Sequence, residues 1–323
     1  MPEPATFRQL IRANRRNSLL LAAAFTAVLV AVTAVFAELL RQWHAPDAPV
    51  AAALVPAVLV AAGAGLVGCL LAWFQGGNFC LAVGGARRID KPADPQLFNV
   101  VEELSIGAGV PMPAVYLIDD PAPNAFAVGR DPAHGAVAIT EGLRRKLTRA
   151  ELQAVMAHEL AHIRNRDTLF AVMMAVLVGT VVIVCDLFLR HLWWGGRVRT
   201  RDNRRGGGNA WVMLILMLAA VVLAILAPIL AKLIQLAVSR EREYLADISG
   251  AELTRDPEAL CSALAKIEAD PEPSESANRA TAHLYFVNPL LRLREGDSTI
   301  WSSHPPTADR IRRLRSLVPA TAG

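Results

Sequence analysis

His158-Glu159-Leu160-Ala161-His162 holds three side chains that can do chemistry together. On a helix, residues four apart lie on one face, one above the other. His158 and His162 can then offer two imidazole nitrogens to one point. Zn²⁺ takes such nitrogens at about 2.0–2.1 Å, and a catalytic site leaves one coordination position to water. Glu159 stands beside the first histidine, placed to take a proton from that water. The pattern is H-E-x-x-H, whose chemistry is zinc-assisted peptide hydrolysis. A polar helix face can match it by chance, so its surroundings decide.

Those surroundings are helical. Thr148 and Glu151 have the spacing of a capping box, which marks a helix start. Leu152, Val155, Met156 and Ala161 follow at the spacing of a buried helix face. Zinc needs a third protein ligand. Glu243 and Asp247 share one helical face and could present a carboxylate from a second helix. A solvated acidic face balanced by Arg240 and Arg242 fits the same spacing.

The elements that must position these residues are set in an apolar chain. Of its 323 residues, 54% are hydrophobic, and the mean hydropathy of +0.35 points to membrane spans. Apolar runs cover Ser18 to Ala37, about Val50 to Phe74, Leu169 to Leu189, and about Ala210 to Leu236, the last with Pro228 as a possible kink. A cleaved signal peptide is the competing reading of the first run, but its apolar core is too long for one.

Arg8, Arg12, Arg15 and Arg16 precede the first span, and Arg87, Arg88 and Lys91 follow the second. Both ends of that hairpin are therefore expected in the cytoplasm. Arg190, Arg197, Arg199, Arg201, Arg204 and Arg205 lie between the third and fourth runs and oppose that orientation, unless the second hairpin inserts only in part. The net charge is a modest +4, and its arginines flank apolar segments. This reads as membrane topology, not as nucleic-acid binding. Cys69, Cys80, Cys185 and Cys261 show no C-x-x-C spacing, so neither a disulfide framework nor a thiolate metal site is expected.

Between the spans the chain reads as soluble. A helix is expected over Gln96 to Ile106, and strands over Ala114–Ile118, Asn124–Val128 and Ala136–Thr140, with Gly129 to Gly135 as a turn. Further helices are expected from about Pro257 to Ile267 and from Ala308 to Leu317, with a Pro/Glu/Ser loop near 271–277. The divisions are a basic segment (1–17), a membrane hairpin (18–74), a first catalytic part with the zinc helix (75–168), a second membrane hairpin (169–236) and a second catalytic part (237–323). The fold class is a mainly α membrane protein with a small β-sheet. Four transmembrane helices are expected, the second pair splitting the soluble domain.

Three segments taken jointly carry a family resemblance: His158-Glu159-Leu160-Ala161-His162, Arg240-Glu241-Arg242-Glu243-Tyr244-Leu245-Ala246-Asp247, and His304-Pro305-Pro306-Thr307-Ala308-Asp309-Arg310. They resemble the HtpX-type membrane zinc proteases, over about residues 80–320 plus the four-span layout. They are also similar to the CAAX prenyl proteases, which have more spans than four. The resemblance implies a gluzincin with one Zn²⁺ per chain, held by His158, His162 and Glu243, with Glu159 as general base and Asp247 in support. It implies that Asn124, Ala125, Phe126 and Ala127 pair with an extended substrate, and that His304 and Arg310 approach the substrate carbonyl. From the residues alone, Phe126 is equally a core residue, His304 a turn histidine, and Arg310 a counter-charge to Asp309 or Glu159.

The expected activity is a stress-response, quality-control endopeptidase of the cell membrane. Its protease domain faces the cytoplasm, its setting is the lipid bilayer, and its substrates are misfolded or damaged membrane proteins. A CAAX-type prenyl-peptide protease is the alternative enzyme. A membrane scaffold with a structural zinc is the alternative outside enzymes, and it would have no use for Glu159.

Overall fold

The computed structural model describes residues 7–45, 47–195, 210–274, 285–287 and 304–317. The arginines at 197, 199, 201, 204 and 205 lie outside them, as do residues 1–6 and the end of the expected 271–277 loop. The chain divides into two compact units. One comprises Met1–Arg15, Ala72–Val172 and Gln235–Gly323, and the other Arg16–Leu71 and Met173–Ile234.

The second unit is helical. It is drawn from α1 (Phe7–His44), α2 (Val50–Val83), α6 (Asp167–Gly195) and α7 (Ala210–Thr254). Its core joins Leu29, Val32, Phe36 and Leu39 of α1 to Ala61, Val181, Cys185, Ala220 and Ala224. Small residues at these contacts let helix backbones approach closely. Among the described residues, α2 is a helix long and apolar enough to cross a membrane. Its Leu59, Val60, Leu66 and Leu71 are exposed, a distribution suited to lipid and costly in water.

The first unit carries the chemistry. It contains β1 (Arg87–Arg88), α3 (Pro95–Ala108), β2 (Ala114–Ile118), β3 (Ala125–Val128), β4 (Ala136–Thr140), α4 (Glu141–Lys146), α5 (Arg149–Asn165), α8 (Pro257–Ala269) and α9 (Thr307–Arg315). The sheet order is β1-β2-β4-β3, with β2 and β4 parallel and the other pairs antiparallel. β3 is thus an edge strand. Its four residues and all five of β4 are buried, so neither strand alternates in polarity. The turn from β3 leaves through Gly129 at φ +144, where a Cβ would also strike His134.

Local chemistry starts and stops the helices. Asp94 caps α3 ahead of Pro95, and Asp256 caps α8 ahead of Pro257. Thr148 and Glu151 form the reciprocal capping box of α5. Glu151 also accepts hydrogen bonds from Ser262 (2.6 Å) and Lys266 (2.7 Å), fastening the start of α5 to α8. α5 ends at Arg166 in a left-handed conformation, φ 61, whose N–H returns to the carbonyls of His162 and Ile163. α5 packs on α3, α8 and β3, burying Leu152, Val155, Met156 and Leu160.

α7 carries both the fourth apolar run and the polar stretch from Ser239 onward. It runs unbroken through Pro228 and on to Thr254. Glu243 and Asp247 therefore lie on the same helix as the fourth apolar run.

Candidate metal centre

α5 and α7 bring three donors together. His158 Nε2 and His162 Nε2 are 3.1 Å apart. Glu243 Oε2 is 3.7 Å from His158 Nε2, and Oε1 is 3.5 Å from His162 Nε2. All three side chains can offer a ligand atom within 4.8 Å of the others. α7 approaches this closely because position 250 is glycine. A Cβ there would sit 3.0 Å from the His158 backbone nitrogen and 3.1 Å from its Cα. Glu243, Asp247 and Gly250 follow at offsets of four and three, one face of α7 turned to α5.

Each histidine is backed by a carboxylate. His158 Nδ1 lies 2.9 Å from Asp247 Oδ1. Asp247 is in turn gripped by Arg310, whose Nε and Nη2 donate at 2.9 and 2.7 Å. His162 Nδ1 lies 3.3 Å from Asp167 Oδ2. Asp167 Oδ1 accepts from Arg242 at 3.0 Å, and the Arg242 guanidinium stacks 3.6 Å from the centre of the Phe170 ring.

The electrostatics follow from burial and these partners. Burial lowers the pKa of His158 to about 4, against the pull of Asp247. For His162 burial acts the same way, but Asp167 and Glu243 overcome it and the ring titrates well above its usual value. Burial opposes ionisation of Glu243, yet His304 and His162 hold its carboxyl well below the usual range. Burial raises Glu159 to about 8, and a hydrogen bond from the Ala127 backbone only moderates this.

His304 Nδ1 lies 3.1 Å from Glu243 Oε2, so this histidine reaches the donor cluster. Arg310 is fully buried, bonded to Asp247 and to the Phe286 carbonyl at 2.9 Å, with Nη1 3.8 Å from Glu243 Oε2. Its side chain is turned to carboxylates of α7.

Asn124 to Ala127 line the sheet edge beside α5. The outer edge of β3 is engaged at two points. The Ala125 carbonyl accepts from the Phe286 N–H at 2.7 Å, and the Ala127 backbone bonds Glu159. The Asn124 side chain brackets Val287, donating to its carbonyl at 2.8 Å and accepting from its N–H at 3.2 Å. Phe126 is buried edge-on to Tyr285, with ring centres 5.1 Å apart. Phe286 itself stands edge-on to His158.

Sequence reasoning did not single out Asp167, Phe286 or Gly250, and gave Arg242 only as a surface counter-charge. Asp167 carries one local signal, an acidic residue at the first position of α6 shortly after the motif. Phe286 and Gly250 carry none, because their contacts are with chain distant in sequence.

Residues 92–318 match the model of Peptidase family M48. The chain is 40% identical over 311 residues to a Protease HtpX homolog of Lactobacillus helveticus, covering 96% of this chain and 99% of the relative. It is 47% identical over 247 residues to a Protease HtpX homolog of Tropheryma whipplei, covering 76% and 80%. Among solved structures, S. mikatae Ste24p is similar at a TM-score of 0.49 and 18% identity, over 94% of this chain and 66% of that one. With the family model spanning the helix of both histidines, the helix of Glu243 and the C-terminal His304 and Arg310, the chain belongs to peptidase family M48 as a metalloprotease of the HtpX type.

Proposed function

We propose that the chain is a membrane-embedded zinc endopeptidase with one Zn²⁺ held by His158, His162 and Glu243. One observation carries this reading: the donor separations of 3.1, 3.5 and 3.7 Å, the last two to different oxygens of the Glu243 carboxylate. Tetrahedral ligands at zinc bond lengths stand about 3.3 Å apart. Two nitrogens and one carboxylate oxygen are also the donor set of a zinc site with a position left for water. Bound there, zinc lowers the pKa of its water and polarises the scissile carbonyl.

The protein's own groups supply the rest. Glu159 takes a proton from water and returns it to the leaving amine, so no covalent intermediate forms. The packing of Glu159 against β3 excludes competing water from its carboxyl. His304, at the donor cluster, is the group we assign to the developing oxyanion. Arg310 acts on the site through Asp247 and Glu243. An extended peptide would be read along Ala125–Ala127 by main-chain hydrogen bonds, exchanging with Phe286 at the Ala125 carbonyl.

The setting we infer is multi-pass, with four spans, in the cell membrane, and with the catalytic unit on the cytoplasmic side. The apolar α2 and the start of α6 directly after the motif helix support it. Misfolded or damaged membrane proteins are the substrates this setting favours. The test uses full-length protein in detergent with casein. Cleavage is expected, with loss under a zinc chelator and recovery on adding zinc. A zinc-loaded protein that leaves unfolded substrate intact would favour the scaffold reading instead.

A further inference from the structure

We propose that Asp167 and Arg242 form a positioning pair for the metal cage, orienting His162 and tying its helix end to the helix that carries Glu243. This inference rests on the zinc reading above. An imidazole that offers Nε2 to a metal keeps Nδ1–H to donate, and a carboxylate at that nitrogen fixes both tautomer and ring angle. Asp167 Oδ2 is placed for this, 3.3 Å from His162 Nδ1.

The backbone explains how Asp167 gets there. On a continuous helix, a residue five positions on is turned about 140° away from His162. The left-handed turn at Arg166, φ 61, interrupts the helix and brings Asp167 back to the ring. A non-glycine residue in that region is uncommon, and here it delivers a carboxylate.

Arg242 makes the burial of Asp167 tolerable. The two residues are 4% and 8% exposed, and a carboxylate so buried is costly without a charged partner. A planar guanidinium can donate from its edge to Asp167 (3.0 Å) and stack its face on Phe170 (3.6 Å) at once. A lysine offers no such plane. Because Arg242 adjoins Glu243 in sequence, the pair sets the distance between two donors, not only the angle of one. Asp247 and Arg310 make the same arrangement behind His158.

The experiment compares wild type, Asp167→Asn, Arg242→Met and the double variant. Zinc affinity is read by chelator competition, and melting of the zinc-free proteins reads stability. Asp167→Asn is expected to weaken zinc about 10–100-fold and to lower the zinc-free Tm, since Arg242 loses this carboxylate. The double variant removes both charges, so its Tm is expected to recover while zinc binding stays weak and the visible bands of the Co²⁺-loaded form stay shifted. Should Asp167→Asn not fold, the double variant carries the comparison by itself. Wild-type zinc affinity in the double variant would overturn the proposal and leave the pair a purely structural staple. A wild type that takes up no zinc would fail before any substitution, overturning the zinc reading and this inference with it.

Discussion

Glu159 sits between the two histidines with its carboxyl buried against β3, and its pKa is raised from 4.5 to about 8. Unfolded, the group ionises near the lower value, so the folded state holds its proton longer. The stability tied to it is full below pH 4.5 and is lost progressively up to pH 8. Glu159→Gln keeps a neutral side chain throughout. In chelator, its Tm advantage over wild type is expected to widen from pH 4.5 to 8 and then stay level. With zinc present, the same variant is expected to retain metal and lose casein cleavage, as metal analysis beside the protease assay will show. The two acids of α7 that reach the histidines separate in a similar way. Glu243→Ala is expected to lose zinc, because the proposed ligand set loses one of its three members. Asp247→Asn is expected to keep zinc with affinity reduced about 10–100-fold, because it weakens the support of His158 and the hold of Arg310 without removing a proposed ligand. A metal-free Asp247→Asn beside a zinc-retaining Glu243→Ala would exchange the two roles.

At the scale of elements, α5 is held by its first turn. Thr148→Ala removes one half of the capping box and is expected to cost about 1 kcal/mol. Glu151→Ala also removes the bonds to Ser262 and Lys266, and should lower the Tm further in a thermal melt, with zinc stoichiometry unchanged in both variants. This turn was legible in the sequence because capping is local chemistry. So were β2, β3 and β4, which stand between prolines and glycines. β1 was not, since two exposed arginines make no periodic pattern. The parallel pairing of β2 with β4 was not, because no turn residue specifies it. The apolar run within α7 gives way to Ser239-Arg240-Glu241. Helical hydrogen bonding does not depend on which solvent surrounds the side chains, so the helix continues. The cluster of His158, His162 and Glu243 was legible from motif spacing and resemblance, whereas its backing by Asp167 and Arg242 depends on a turn and a tertiary contact.

At the scale of the whole molecule, the charges that flank the apolar runs bear on which side of the membrane holds the catalytic unit. Arg8, Arg12, Arg15 and Arg16, ahead of the first apolar run, and the Arg87, Arg88, Lys91 group after α2 favour the cytoplasm. Ile106, 78% exposed, and Glu252, also exposed, lie in the two sequence halves of that unit. Ile106→Cys and Glu252→Cys are both expected to resist an impermeant maleimide in intact cells and to react after lysis. Labelling of both in intact cells would reverse the topology, and labelling of one alone would place the halves on opposite sides. Cys80, Cys185 and Cys261 are buried and Cys69 is only partly exposed, so the native background is low.

Gly250 contributes no atom to the cluster, yet it acts as its gauge. The space between α5 and α7 is the width of a missing methyl group, measured at the His158 backbone. An alanine there would act as a wedge that neither helix can absorb by turning a side chain, since the obstruction is backbone. Glu243 on α7 would then stand off from the two histidines of α5, and the fit would move toward larger cations. Gly250→Ala is therefore expected to lower zinc affinity and to raise the ratio of cadmium to zinc taken up in competition. Choice of ion radius would thus be written into a residue that touches no ion.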